Sequence, residues 1–120
     1  MSSAKSERLN PMVITDPDSG HEYTLEYSRR TVAKTEQAGF DVRQIESKSM
    51  TMIPLLFWGA FLMHHPQMTR EQTDKILFDG LGGLSATEME YLGKLYAEPF
   101  QTLVASEEEG VNPRKMAVKF

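Results

Sequence analysis

Cysteine is absent from the 120 residues, so no disulfide can staple the fold and no thiolate can hold a metal. That absence suits a reducing compartment. Positive charge is in short supply. Lys and Arg number 13 against 17 Asp and Glu, giving a net charge of -4 and a pI near 5.4. Nucleic-acid binding through phosphate neutralisation is disfavoured on that balance. The chain also lacks an apolar run of membrane length. Its most apolar stretch, SMTMIPLLFWGAFLM over residues 49–63, falls short of the roughly 20 residues that a spanning helix needs. The opening MSSAKSERLN has no apolar core of the signal-peptide type. No membrane partner is expected, and residues 1–10 read as a disordered polar tail.

Chemistry-bearing motifs are equally scarce. No nucleophile motif is present. GLGG (Gly80–Gly83) neither follows a strand nor precedes a lysine, so it makes a poor phosphate cradle. His64 and His65 are adjacent and point to different sides of a helix. A helical metal pair needs spacing of three or four, and Met68 and Thr69 occupy the positions four residues on. Imidazoles at that point complement the negative end of a helix. Asp74, Asp79, Glu88, Glu90 and Glu98 form no pair distinct from solvated helix faces. The reading is of a non-enzyme with no catalytic residue, no metal site and no cofactor.

What is present is a single domain's worth of ordinary globular composition, 40% apolar and 25% charged. MVIT (Met12–Thr15) and HEYTLEY (His21–Tyr27) read as strands joined by DPDSG, whose Pro17 and Gly20 suit a turn. In the second strand Tyr23, Leu25 and Tyr27 share one face, and Glu22, Thr24 and Glu26 share the other. Ser28 caps a helix from Arg29 to Ala38 that Gly39 stops, and Phe40 folds back on it. Asp41–Gln44 opens a second, short helix. Thr51 is placed to cap the central helix, with Pro54 in its first turn and a stop near His65 before Pro66. TREQ (Thr69–Gln72) and SATE (Ser85–Glu88) have capping-box spacing. They open a helix to Asp79 and a longer one through Val104, kinked or split at Pro99. The expected fold is α+β and mainly α, an N-terminal β-hairpin followed by a small bundle of about four to five helices. Residues 11–106 form its one folded domain, and residues 107–120 form a flexible tail.

The central helix is apolar around its whole circumference, so it must be covered on all sides. The hairpin and three helices are few to cover it, and the reading leaves a groove where an apolar partner segment docks. Eight methionines supply adaptable side chains of the kind that promiscuous surfaces use.

Four segments in order, EYTLEYSRRTVAKTEQAGF, IPLLFWGAFLMHHP, TDKILFDG and LGKLYAEPFQTL, resemble the tail assembly chaperones of long-tailed bacteriophages, in the variety found in phages of Gram-positive hosts. The resemblance spans Met12 to Leu103. Its most specific pieces are the hairpin leading into SRRTV, the Glu36-x-x-Gly39-Phe40 ending and LFWGAFLMHHP. Thr35 departs from it, because a larger apolar residue is expected before Glu36. The resemblance implies a non-enzymatic protein that coats the tape measure protein, keeps it soluble and recruits major tail tube subunits to it. It implies a place in the cytoplasm of the infected or lysogenic host and absence from the mature virion. Many such proteins also occur in a frameshifted longer form, and some self-associate. By analogy the folded part holds the tape measure and the tail reaches the tube. Met52, Leu56, Trp58, Phe61, Met63 and Met68 are the expected contact residues. A homo-oligomeric structural subunit, such as a connector or tail-completion protein, is the alternative.

Overall fold

The structure, a computed structural model, describes residues 9–103 and 116–120. The elements follow the expected order. Strands β1 (Met12–Thr15) and β2 (Glu22–Leu25) pair antiparallel, with Met12 opposite Leu25 and Thr15 opposite Glu22. Helix α1 (Arg29–Gln37) follows, then a single 3-10 turn (Val42–Gln44) and the central helix α2 (Ser49–Phe61). Helix α3 (Arg70–Lys75) runs into a π turn (Ile76–Gly80). Helix α4 (Ala86–Ala97) tightens into a 3-10 turn (Glu98–Thr102). The protein is α+β and mainly α, a two-stranded hairpin followed by four helices. Residues 1–8 of the expected tail, and the boundary between folded domain and tail, lie outside the described residues. So does the reading of Val104 as helical.

The caps form where short polar side chains can satisfy the first orphan N–H groups of a helix. Ser28 with Thr31, Thr69 with Gln72 and Ser85 with Glu88 each make a reciprocal capping box. Gly39 adopts φ +112°, a conformation that releases the chain from α1 and lets Phe40 turn back into the core.

Several local readings are corrected. Thr51 does not cap α2, which begins at Ser49 with Lys48 as the flanking residue and no side-chain cap. Helix α2 ends at Phe61 rather than near His65, and His65 N–H closes the last turn on the Phe61 carbonyl at 2.7 Å. Asp41 accepts from Arg43 N–H and starts only one 3-10 turn. The last helix is split at Pro99 as expected: α4 ends at Ala97, and a 3-10 turn runs on from Glu98 to Thr102. Leu9 and Asn10, placed in the tail by sequence, are fastened to α4 and the 3-10 turn that follows it. Leu9 N–H donates to Glu98 Oε2 at 2.8 Å, and Tyr91 OH donates to the Asn10 carbonyl at 2.6 Å.

Helix α2 is the centre of the core. It packs on β2, α1, α3 and α4, and Leu55, Leu56, Phe57, Ala60 and Phe61 are all buried. Pro54 is not in the first turn as expected: it is the sixth residue of α2, beyond the first-turn positions where a missing N–H costs nothing, and the helix nonetheless continues to Phe61. Gly59 marks the closest approach: a Cβ there would overlap Thr35 Oγ1 and Tyr27 OH. Thr35 is fully buried, and its hydroxyl donates to the Thr31 carbonyl at 2.7 Å. A side chain larger than Thr35 would have no room against α2. Tyr27 OH donates to the Leu56 carbonyl at 2.5 Å, and burial pushes its phenol pKa far up. Phe40 and Tyr27 both meet the Tyr96 ring edge-on, at 5.0 and 5.1 Å between ring centres.

Candidate functional site

The core determines which of the expected contact residues reach solvent. Met52, Leu56 and Phe61 are interior, at 4%, 1% and 0% exposure. Met52 and Phe61 therefore offer no contact surface, and Leu56 contributes only to the wall of a groove. Trp58 and Met68 are half-buried and Met63 is exposed. Trp58 and Met68 are tied together: the indole N–H donates to the Met68 carbonyl at 3.1 Å, and the Arg70 guanidinium lies 6.0 Å from the ring centre. The expected groove along α2 is therefore closed. Accessible apolar surface lies instead in two grooves at the periphery.

The larger groove, about 600 Å³, lies between the hairpin and α3 with its π turn. Its apolar lining is Ile14, Tyr23, Met68, Ile76 and Leu81, and Asp16, Asp18, Asp79 and Lys75 stand around it. The π turn has a part in this shape. Within it Leu77 enters the core while Phe78 stays 48% exposed.

The second groove, about 560 Å³, lies between the end of α1, the Val42–Gln44 turn and α4. Phe40, Ile45, Leu56, Met89, Tyr96 and Phe100 line it. Leu56 therefore contributes a wall while remaining inside. Gly93 leaves the groove open, since a Cβ there would meet nothing within 4 Å. Val42, 60% exposed, stands at its rim. The rim charges are Glu36 and the Asp41–Arg43 pair, 2.9 Å apart. The Arg43 guanidinium holds the Asp41 carboxyl below the usual range. Burial, then the nearby Glu36, pushes the Tyr96 phenol up to about 12. A smaller depression lined by Val32, Ala33, Pro99 and Leu103 adjoins this groove and shares Glu36 and Phe100 with it. Sequence reasoning missed this site. Its signal was present, because Met89, Gly93, Tyr96 and Phe100 recur at helical spacing, but that stripe reads equally as core.

The adjacent histidines join α2 to the hairpin. His64 Nε2 lies 2.7 Å from Glu26 Oε1, and Thr24 N–H donates to His65 Nε2 at 3.0 Å. Glu26, assigned to the solvent face by alternation, is buried for this reason. Among the described residues no group of three or more His, Asp or Glu is placed to hold a metal ion. No helix among them is long and apolar enough to cross a membrane.

The His65 contact has a pH consequence. Nε2 accepts a hydrogen bond, so the ring must be neutral there. Burial, then the neighbouring His64 and His21, lowers its pKa from the ordinary 6.5. A histidine with a lowered folded pKa contributes stability that is complete above its unfolded value and is lost as pH falls through the folded one. The midpoint of thermal unfolding should therefore fall on acidification below pH 6.5. In His65→Gln the amide oxygen still accepts from Thr24 and does not titrate, so part of that fall should vanish. Equal falls in the two proteins would refute the assignment.

The fold and these grooves define a small, mainly helical α+β domain with two open apolar clefts at its periphery. The chain belongs to the family described as Domain of unknown function (DUF5055), whose profile matches residues 1–120. No curated protein and no solved structure matches it.

Proposed function

We propose that the protein is a tail assembly chaperone of a long-tailed bacteriophage. It holds a helix of the tape measure protein in the groove between α1, the Val42–Gln44 turn and α4, and it recruits major tail tube subunits. It acts in the cytoplasm of the infected or lysogenic host and leaves before the virion is complete. The reading draws on the resemblance over Met12–Leu103, and one observation carries it: an open groove walled by Phe40, Ile45, Met89, Tyr96 and Phe100. Aromatic and methionine side chains on a rigid helical frame suit reversible capture of an amphipathic helix.

Co-expression with the tape measure protein encoded beside it should keep that protein soluble and co-purify it. Gly93→Trp fills the groove from a position with free space around it. It should leave thermal stability intact and cut co-purification by roughly tenfold or more. Unchanged capture by a folded Gly93→Trp protein would exclude this groove. No capture by the wild type would exclude the function. The homo-oligomeric structural subunit is the competing reading, favoured by the outer edge of β1, where Val13 and Thr15 have no backbone partner among the described residues. Detection of the chain in purified virions would select it.

A further inference from the structure

The hairpin has one covered edge and one open edge. Asp16 N–H donates to the His21 carbonyl at 2.8 Å, so this is a hydrogen-bonded pair of the ladder. Such pairs alternate in antiparallel strands. Ile14–Tyr23 and Met12–Leu25 are then the next hydrogen-bonded pairs, and Val13 and Thr15 point their N–H and C=O groups away from β2. Along β2 and just beyond it, two of the outward N–H groups are taken: Thr24 donates to His65, and Glu26 donates to the Ala60 carbonyl at 2.9 Å. Among the described residues Val13 and Thr15 have no corresponding partner. Both side chains are exposed.

We propose that β1 receives Met116–Phe120 of a second copy of this chain as a third strand. In extended form Met116, Val118 and Phe120 share one face, while Ala117 and Lys119 share the other. The three apolar side chains are exposed at 83%, 62% and 115% in the single chain. Beside the open edge lies the groove of about 600 Å³, whose Ile14, Met68 and Ile76 offer them an apolar bed. Charge is complementary as well. Asp16, Asp18 and Asp79 around the groove outnumber Lys75 by three to one. The incoming strand carries Lys119 and follows Arg114 and Lys115. Among the described residues neither half of the contact has a partner in one copy, and a two-fold arrangement fills both at once, each copy giving a strand and receiving one. The added strand also converts a marginal two-stranded ribbon into a three-stranded sheet.

The lack of cysteine makes disulfide trapping specific. Thr15→Cys combined with Ala117→Cys places both thiols on the outer face of the extended sheet. Mild oxidation should give a disulfide-linked dimer. Thr15→Cys with Val118→Cys places the thiols on opposite faces and should give roughly tenfold less, because a disulfide needs its Cβ atoms about 4 Å apart. Val118→Pro, in an exposed segment that the core does not need, should abolish the dimer in the first pair. Oxidation of a mixture of isotopically light and heavy protein, followed by mass spectrometry, tells the two kinds of link apart. Links only within one chain, no link at all, or equal linking of the two pairs would each overturn the proposal.

Discussion

Phe61→Ala should lower stability by about 3–5 kcal/mol, the usual cost of truncating a buried phenylalanine. Phe61 has no exposed surface, and its ring meets Phe57 at 5.1 Å and Tyr23 at 5.7 Å between centres. It joins the central helix to the hairpin, so the cavity would open between two elements that cannot both collapse into it. Domains of this size have only about 5–15 kcal/mol in total. At about 4–8 °C per kcal/mol, the melting temperature should fall by at least roughly 12 °C. Met63, two residues on and 37% exposed, is the control. Met63→Ala should change stability by no more than about 0.5 kcal/mol. Chemical denaturation of the two variants checks the contrast. Equal stability would mean that Phe61 is not part of the core.

Gly59→Ala should destabilise the protein by about 1–3 kcal/mol even though alanine is the better helix former. The new methyl would overlap Thr35 Oγ1 and Tyr27 OH. Neither oxygen can simply swing aside: the first is bonded to the Thr31 carbonyl and the second to the Leu56 carbonyl. Either α1 moves away from α2 or two buried hydrogen bonds are lost. Gly93→Ala gives the opposite sign. Its Cβ would meet nothing within 4 Å, so it should gain about 0.5–1 kcal/mol from backbone propensity. Thr35→Ala introduced with Gly59→Ala removes one of the two obstacles and should recover part of the loss. A stabilising Gly59→Ala would refute the close approach of the two helices.

Much of this arrangement could be read from residue types alone. Ser28, Thr69 and Ser85 announce their helices because a hydroxyl three residues from a suitable partner satisfies a local need, and both groups lie within one turn. The hairpin was legible for the same reason, through the turn chemistry of Pro17 and Gly20. Central placement of α2 followed from its lack of a polar face. Its inner and outer residues did not, since a helix apolar all round has no period that separates Phe61 from Trp58. Glu26 shows a second limit. Alternation placed it outside, but His64, 38 residues on, draws it in. Nothing near Glu26 in the chain signals that contact. The grooves were illegible because each is a space between elements distant in sequence. The open edge of β1 depended on which strand α2 would cover.

The joint between the hairpin and the end of α2 bears on how the chain is made. Thr24 and His65 are 41 positions apart, and the strands by themselves form only a short two-stranded ribbon. During synthesis the strands leave the ribosome well before the residues that brace them. A pair of strands this short does not hold in water without support, so the hairpin must wait until the growing end has passed His65. An element made before α2 is thus secured only after it.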